Sequence, residues 1–124
     1  MDVQRIYNEV HAAAQQFALV EVHPDDKGGV YVKAGFQTSV GNTYFTKILF
    51  EGYPYQMPQV HVTAPALSPS PHKYTDGHLC YFHPSVWNPG LHNLTFVLGR
   101  IAKWLNKYEV YRVYKKSPVA EILH

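Results

Sequence analysis

Apolar residues recur along the chain with a helical period at both ends, which predicts two amphipathic helices. Asp2 precedes the first stripe and can cap its first turn. The stripe comprises Val3, Ile6, Tyr7, Val10, Ala14 and Phe17. The second stripe follows a capping residue, Asn93, and predicts a long helix with Tyr111 and Arg112 near its end. Its apolar members are Leu94, Val97, Leu98, Ile101, Trp104, Leu105 and Tyr108.

Four segments between these helices have the pattern of β-strands. They are Leu19–Val22, Val30–Phe36, a segment opened by Gly41 and Asn42, and Gln59–Thr63. The turn cluster at residues 23–26 is expected to close the first strand. In the third strand, one face carries Tyr44, Thr46, Ile48 and Phe50. Because the connections are short, the strands should form an antiparallel meander, giving a single α+β domain over residues 1–124.

Composition and charge exclude several classes of function. The chain has 124 residues, with 11 Lys and Arg against 9 Asp and Glu. These basic residues are dispersed, so we expect no nucleic-acid partner. No apolar run approaches the length of a membrane span. The single cysteine cannot form an internal disulfide, and no signal peptide precedes the first helical pattern, so a cytoplasmic location is expected.

The chemistry-bearing stretch lies between the strands and the long helix. Three prolines in residues 64–71 predict an irregular loop, and the following residues hold Cys80 among His72, His78 and His83. A lone thiol among polar groups indicates a nucleophile, whose thiolate a neighbouring histidine can favour. Two alternatives remain open: an inert buried thiol, or a zinc site formed by these three histidines and the cysteine.

The order of elements and three motifs resemble the ubiquitin-conjugating enzyme family over nearly the whole chain. Tyr53-Pro54-Tyr55-Gln56-Met57-Pro58 is similar to the family's Tyr-Pro-x-x-x-Pro segment, and Gly77-His78-Leu79-Cys80-Tyr81 to its Gly-x-Ile-Cys-Leu active site. Trp87-Asn88-Pro89 is similar to its Trp-x-Pro. The resemblance implies a ubiquitin-conjugating-enzyme-like fold in which Cys80 carries a partner's C-terminus as a thioester and passes it to a lysine.

The places where the sequence departs from the family's motifs indicate which members of the family it resembles. The family's His-Pro-Asn, whose asparagine supports the oxyanion, is absent, and residues 71–74 read Pro-His-Lys-Tyr. We expect His72 to serve as oxyanion donor or base. The supporting residues would be Asp76, His78, His83 and Asn88, although Asp76 before a glycine more simply shapes a turn. Arg5, on the polar face, is the only basic residue of the first helix. Because few residues follow the long helix, we expect the two C-terminal helices of the common form to be absent.

These features look like the compact bacterial members encoded in antiviral operons, in which a conjugating enzyme acts on a cyclic-nucleotide synthase. The implied partner is a protein with an exposed C-terminal glycine, either ubiquitin-like or the synthase itself. A separate activating enzyme would consume ATP, and no metal or small cofactor is needed. Two rival functions use the same fold. One is an isopeptide hydrolase acting through Cys80, and the other is a non-catalytic scaffold that binds ubiquitin-like proteins or a nucleotidyltransferase.

Other residues in this region have structural interpretations. Trp87 should anchor the loop to the core. The bond between Tyr53 and Pro54 is a candidate for cis geometry. Five further histidines are expected to be surface or cap residues: His11, His23, His61, His92 and His124.

Overall fold

The computed structural model describes residues 2–67 and 78–114. Its elements follow the predicted order of helix, four strands and helix. They are α1 (Val3–Ala13), β1 (Leu19–Pro24), β2 (Val30–Gln37), β3 (Thr43–Leu49), β4 (Gln59–Ala64), a 3-10 helix (Pro84–Val86) and α2 (Leu94–Tyr114).

The four strands form one antiparallel sheet in the order β1-β2-β3-β4, which is the predicted meander. Side chains alternate between its two faces. On β2 the buried set is Val30, Val32, Ala34 and Phe36. The face predicted for the third strand is buried at all four positions: Tyr44, Thr46, Ile48 and Phe50. A register shift between Phe45 and Thr46 interrupts the pairing of β3 with β4.

Helix α2 supplies the other half of the core. Its whole predicted stripe is buried together with the inner face of the sheet. Tyr108 meets Tyr44 of β3 edge-on, with ring centroids 6.2 Å apart. Asn93 caps the helix by accepting the Phe96 amide at 2.9 Å. This helix therefore packs against the inner face of the sheet and shares one hydrophobic core with it.

Helix α1 begins as predicted but ends earlier. Asp2 accepts the Arg5 amide at 3.0 Å and caps the first turn. The helix ends at Ala13, so the predicted stripe is wrong at its end: Ala13 is buried in place of Ala14. Tyr7 is 50% exposed, because α1 turns only a narrow stripe toward the core. The first strand is also longer than predicted and includes Pro24, which an edge strand tolerates because its missing N–H faces no neighbour.

A buried carboxylate ties the β2–β3 hairpin to α2. Glu109 accepts hydrogen bonds from Asn42 at 2.8 Å and from Thr38 at 3.1 Å, and lies 3.4 Å from Arg112. Burial alone would raise the pKa of Glu109, but the hydrogen bonds from Asn42, Thr38 and Tyr44 lower it overall. The hairpin is thus fixed to the helix by a buried carboxylate whose donors come from both elements.

No helix in the two described ranges combines the length and apolar character that crossing a membrane requires.

Candidate active site

Cys80 lies in an extended segment between β4 and the 3-10 helix. The amide of the preceding residue, Leu79, donates to the Val60 carbonyl of β4 at 2.8 Å. Successive side chains of an extended chain point to opposite sides. Leu79 and Tyr81 are accordingly buried, with exposures of 0% and 2%, whereas Cys80 between them is half-buried. The thiol is therefore partly accessible, which the role of a nucleophile requires.

Tyr81 and Phe82, the two residues after Cys80, are held by contacts with the loop before β4 and with α2. The Tyr81 hydroxyl donates to the Pro58 carbonyl, in the loop before β4, at 2.6 Å. Arg100 of α2 donates through Nε to the Tyr81 carbonyl at 3.2 Å. Its guanidinium also lies over the Phe82 ring, with Cζ 5.5 Å from the centroid. Contacts to β4, to the preceding loop and to α2 thus hold the backbone on both sides of the thiol.

Trp87 anchors the far side of this region, as predicted. Its indole Nε1 donates to the Pro54 carbonyl at 2.8 Å, and its ring lies 6.1 Å from that of Tyr53. The bond between Tyr53 and Pro54 is cis, which confirms the sequence expectation. The bond between Ala64 and Pro65 is also cis and was not predicted.

His92 corrects an expectation, because it is not a simple surface or cap residue. It is half-buried, with its ring 4.4 Å from Phe96, 5.0 Å from Phe82 and 5.3 Å from Trp87. Its Nδ1 accepts the backbone amide of Asn88 at 2.9 Å. The histidine therefore joins the turn before α2 to the aromatic residues that support the cysteine segment.

Two of the predicted supporting residues shape turns. His83 caps the 3-10 helix, where its Nδ1 accepts the Ser85 amide at 3.2 Å and lies 2.6 Å from the Ser85 hydroxyl. Asn88 accepts the Gly90 amide through Oδ1 at 2.8 Å. Both side chains are exposed, and each uses one acceptor atom in a hydrogen bond within its own loop.

His78, two residues before the cysteine, is half-buried, and its ring lies 6.0 Å from that of His61 on β4. It also lines a surface groove of about 390 Å³, whose other walls are residues 55–59, Pro84 and Trp87. His78 thus lies both in the cysteine segment and at the wall of this groove.

The remaining predicted residues, His72 and Asp76, lie outside the described residues. Within residues 2–67 and 78–114, no three His, Cys, Asp or Glu side chains come together as they would around a metal ion. The zinc alternative needs His72 as its fourth ligand and has no such cluster among its described members.

Glu9 of α1 links the loop that contains Tyr53 to the start of α2. Its Oε1 accepts the Tyr53 hydroxyl and, at 2.7 Å, the backbone amide of Leu94. Leu94 begins α2, so Glu9 satisfies an amide that has no partner within the helix. Burial and then the hydrogen bond to Glu9 raise the pKa of Tyr53, which keeps the phenol protonated as a donor.

Arg5 reaches from the same helix to the turn before α2. It pairs with Glu9 through Nε, and its Nη2 donates to the carbonyls of Pro89 at 2.9 Å and His92 at 3.1 Å. Arg5, predicted on the polar face of α1, is therefore only partly exposed, at 28% of its side chain. Its guanidinium donates to main-chain groups of the protein itself, which the sequence pattern did not indicate.

Sequence reasoning missed Glu9 and Arg100 as contributors to this region. Glu9 falls on the polar side of the α1 pattern, and Arg100 precedes a buried position of α2. Both contact residues that are distant in sequence, so no local period marks them. The only available signal was that each lies one position from an apolar stripe.

The N-terminal helix, the four-stranded antiparallel meander and the cysteine segment before a long helix form a ubiquitin-conjugating-enzyme-like fold. Among solved structures, the chain is similar to that described as a complex of the Vps23 UEV with ubiquitin, with a TM-score of 0.58 and 14% identity. The match covers 82% of this chain and 81% of that chain, and at this identity it shows the fold alone.

The sequence also matches the family model described as Type II CBASS E2 protein over residues 9–123. The chain therefore belongs to this family of bacterial antiviral-signalling E2-like proteins, which confirms the family expected from the motifs. Among curated proteins, none matches the sequence.

Proposed function

We propose that the protein is an acyl transferase of the ubiquitin-conjugating type, with Cys80 as its nucleophile, acting in bacterial antiviral defence. The observation that carries the proposal is the position of the chain's single cysteine. It is half-buried between two buried neighbours, Leu79 and Tyr81, in a segment fixed to β4 and α2. Membership of an E2-like antiviral-signalling family supports the same function.

The proposed reaction has two steps. The Cys80 thiolate attacks the activated carbonyl carbon of a partner's C-terminal residue, a C–S bond forms, and the bond to the activating group breaks. A lysine amine of the acceptor then attacks the thioester. A C–N bond forms, the C–S bond breaks, the thiolate is regenerated, and a base takes the proton of the amine.

We assign His72 as the donor to the oxyanion or as that base, with Asp76 shaping its loop; both lie outside the described residues. His78 would face the incoming chain from the groove beside the cysteine. His83 and Asn88 would act indirectly, through the turns that they hold.

The proposed donor is a protein with an exposed C-terminal glycine, either ubiquitin-like or a cyclic-nucleotide synthase. Glycine suits a close approach to the thiol because it has no side chain. The antiviral-signalling family supports the synthase, and the presence of ubiquitin in the similar Vps23 UEV complex supports a ubiquitin-like protein. ATP would be consumed by a separate activating enzyme, in the cytoplasm, and no metal or small cofactor takes part.

The test compares wild type, Cys80→Ser and Cys80→Ala with a candidate donor and its activating system. We expect a reducing-agent-sensitive adduct with wild type, a hydroxide-sensitive adduct with Cys80→Ser, and no adduct with Cys80→Ala. Activity that is lost in His72→Ala while the adduct still forms would place His72 in the transfer step.

A non-catalytic scaffold is the second candidate, favoured by the commitment of His83 and Asn88 to their own loops. Its signature is a folded protein that binds the donor but forms no adduct under activating conditions. Loss of pre-made conjugates over time, dependent on Cys80, would instead indicate an isopeptide hydrolase.

A further inference from the structure

Arg100 is a partly buried cation that the proposed reaction does not use. It lies on α2, and its side chain turns toward the cysteine segment. Nε donates to the carbonyl of Tyr81, the residue that follows the nucleophile, at 3.2 Å. The guanidinium Cζ lies 5.5 Å from the centroid of the Phe82 ring. One side chain thus holds two successive residues after Cys80.

We propose that Arg100 is a positioning residue that fixes the backbone on the C-terminal side of Cys80. The reaction for which it positions the thiol is the proposed transfer, so the inference rests on that function. Arg100 acts through Tyr81 and is not itself a catalytic residue.

The other hydrogen bonds of the cysteine segment show why the bond from Arg100 matters. On the N-terminal side, the Leu79 amide binds the Val60 carbonyl at 2.8 Å and fixes the main chain. On the C-terminal side, Tyr81 is held by its hydroxyl, at the far end of a side chain. The Arg100 bond, by contrast, holds the main chain of Tyr81 directly, at its carbonyl. A displacement of about 1 Å at a reacting atom can lower a rate by up to 100-fold.

Because Nε is the donating atom, substitutions at Arg100 can separate the effect of the hydrogen bond from that of the charge. Glutamine places its amide nitrogen at the same number of bonds from the backbone as arginine Nε, so Arg100→Gln keeps the donor and loses the charge. Arg100→Lys keeps the charge and places a carbon at that position. Arg100→Met lacks both. Lys103→Met, one turn along the same helix at an exposed position, is the matched control for loss of a charge.

Because Cys80 is the only cysteine, a nitroxide label attached there reports the order of this segment without any partner. If the hydrogen bond positions the segment, wild type, Arg100→Gln and Lys103→Met should give the same immobilised spectrum. Arg100→Lys and Arg100→Met should give a more mobile one. Thermal unfolding of each labelled variant shows that the comparison is made on folded protein.

The second readout uses unlabelled protein charged with a donor. Transfer from the thioester to an amine should fall by about 10-fold or more in Arg100→Lys and Arg100→Met, and stay within about threefold of wild type in Arg100→Gln. If Arg100→Lys behaves as wild type and Arg100→Gln as methionine, the charge acts and the positioning bond is refuted. Unchanged spectra in all variants also overturn the inference. If the spectra change as expected but wild type never forms a thioester, the proposed function fails while the role of Arg100 in ordering Cys80 stands.

Discussion

Replacing Glu9 of α1 should destabilise the protein strongly. This carboxylate accepts the Tyr53 hydroxyl and the Leu94 amide and pairs with Arg5. Tyr53 and Leu94 are 1% and 0% exposed, so the two donors that Glu9 accepts from are shielded from bulk water. Glu9→Ala therefore leaves two buried donors unpaired and one guanidinium without its carboxylate.

The magnitude follows from these contacts. A buried donor left without its acceptor costs about 1–3 kcal/mol, so two donors and the lost ion pair give about 3–5 kcal/mol for Glu9→Ala. In Glu9→Gln the amide oxygen can still accept from Tyr53 and Leu94, but its NH₂ group faces Arg5, and the cost should be about 1–2 kcal/mol. The larger value is a sizeable part of the roughly 5–15 kcal/mol by which a domain is stable.

Urea unfolding at neutral pH measures both differences from the shift of the midpoint at constant slope. Gln4→Ala, at an exposed position of the same helix, is the control and should change the free energy of unfolding by less than about 0.5 kcal/mol. A double-mutant cycle with Tyr53→Phe should give a coupling free energy of about 1 kcal/mol or more. Equal effects of Glu9→Ala and Glu9→Gln, or no coupling to Tyr53, would refute the role of the carboxylate as shared acceptor.

Two further predictions concern Glu109, which joins the β2–β3 hairpin to α2, and Trp87, which binds the Pro54 carbonyl. Because the pKa of Glu109 is lowered in the folded state, its stabilising contribution is present above its ordinary value of 4.5 and is lost as the pH falls through the folded pKa. The difference in unfolding free energy between wild type and Glu109→Gln should therefore shrink on acidification below about pH 4.5, and an unchanged difference down to pH 3 would contradict it. Trp87→Phe removes the hydrogen bond to Pro54 but keeps an aromatic ring, so it should cost about 1 kcal/mol, against about 3 kcal/mol for Trp87→Ala. Equal costs in urea unfolding would show that the indole N–H contributes nothing.

Local patterns in the sequence predicted most of the fold. Strand alternation predicted the buried face of β3, and the apolar stripe predicted the buried apolar residues described for α2, although not its buried Glu109. Asp2 and Asn93 act as the predicted caps. These features depend on residues within about one helical turn or on alternate positions, so the sequence alone contains their cause.

The network that supports the candidate site could not be predicted in the same way. Its contacts join Glu9 to Leu94 and Arg5 to His92, residues that are 85 and 87 positions apart. A polar residue beside an apolar stripe looks the same in sequence whether it faces solvent or reaches another element. The family resemblance located Cys80 through its motif, but motifs do not state which side chains hold the loop.

Glu9 and Arg100 stabilise the segment around Cys80 through different contacts, and this leads to a final prediction. Glu9 acts through the loop of Tyr53, which also supplies the Pro58 acceptor for Tyr81, whereas Arg100 acts directly from α2. Contributions through independent attachments should add, within about 0.5 kcal/mol. The unfolding free energy lost in the double variant Glu9→Gln, Arg100→Met should therefore equal the sum of the single losses. A loss well below that sum would mean that both side chains stabilise the same attachment, and that the loop and α2 hold the cysteine segment as one unit.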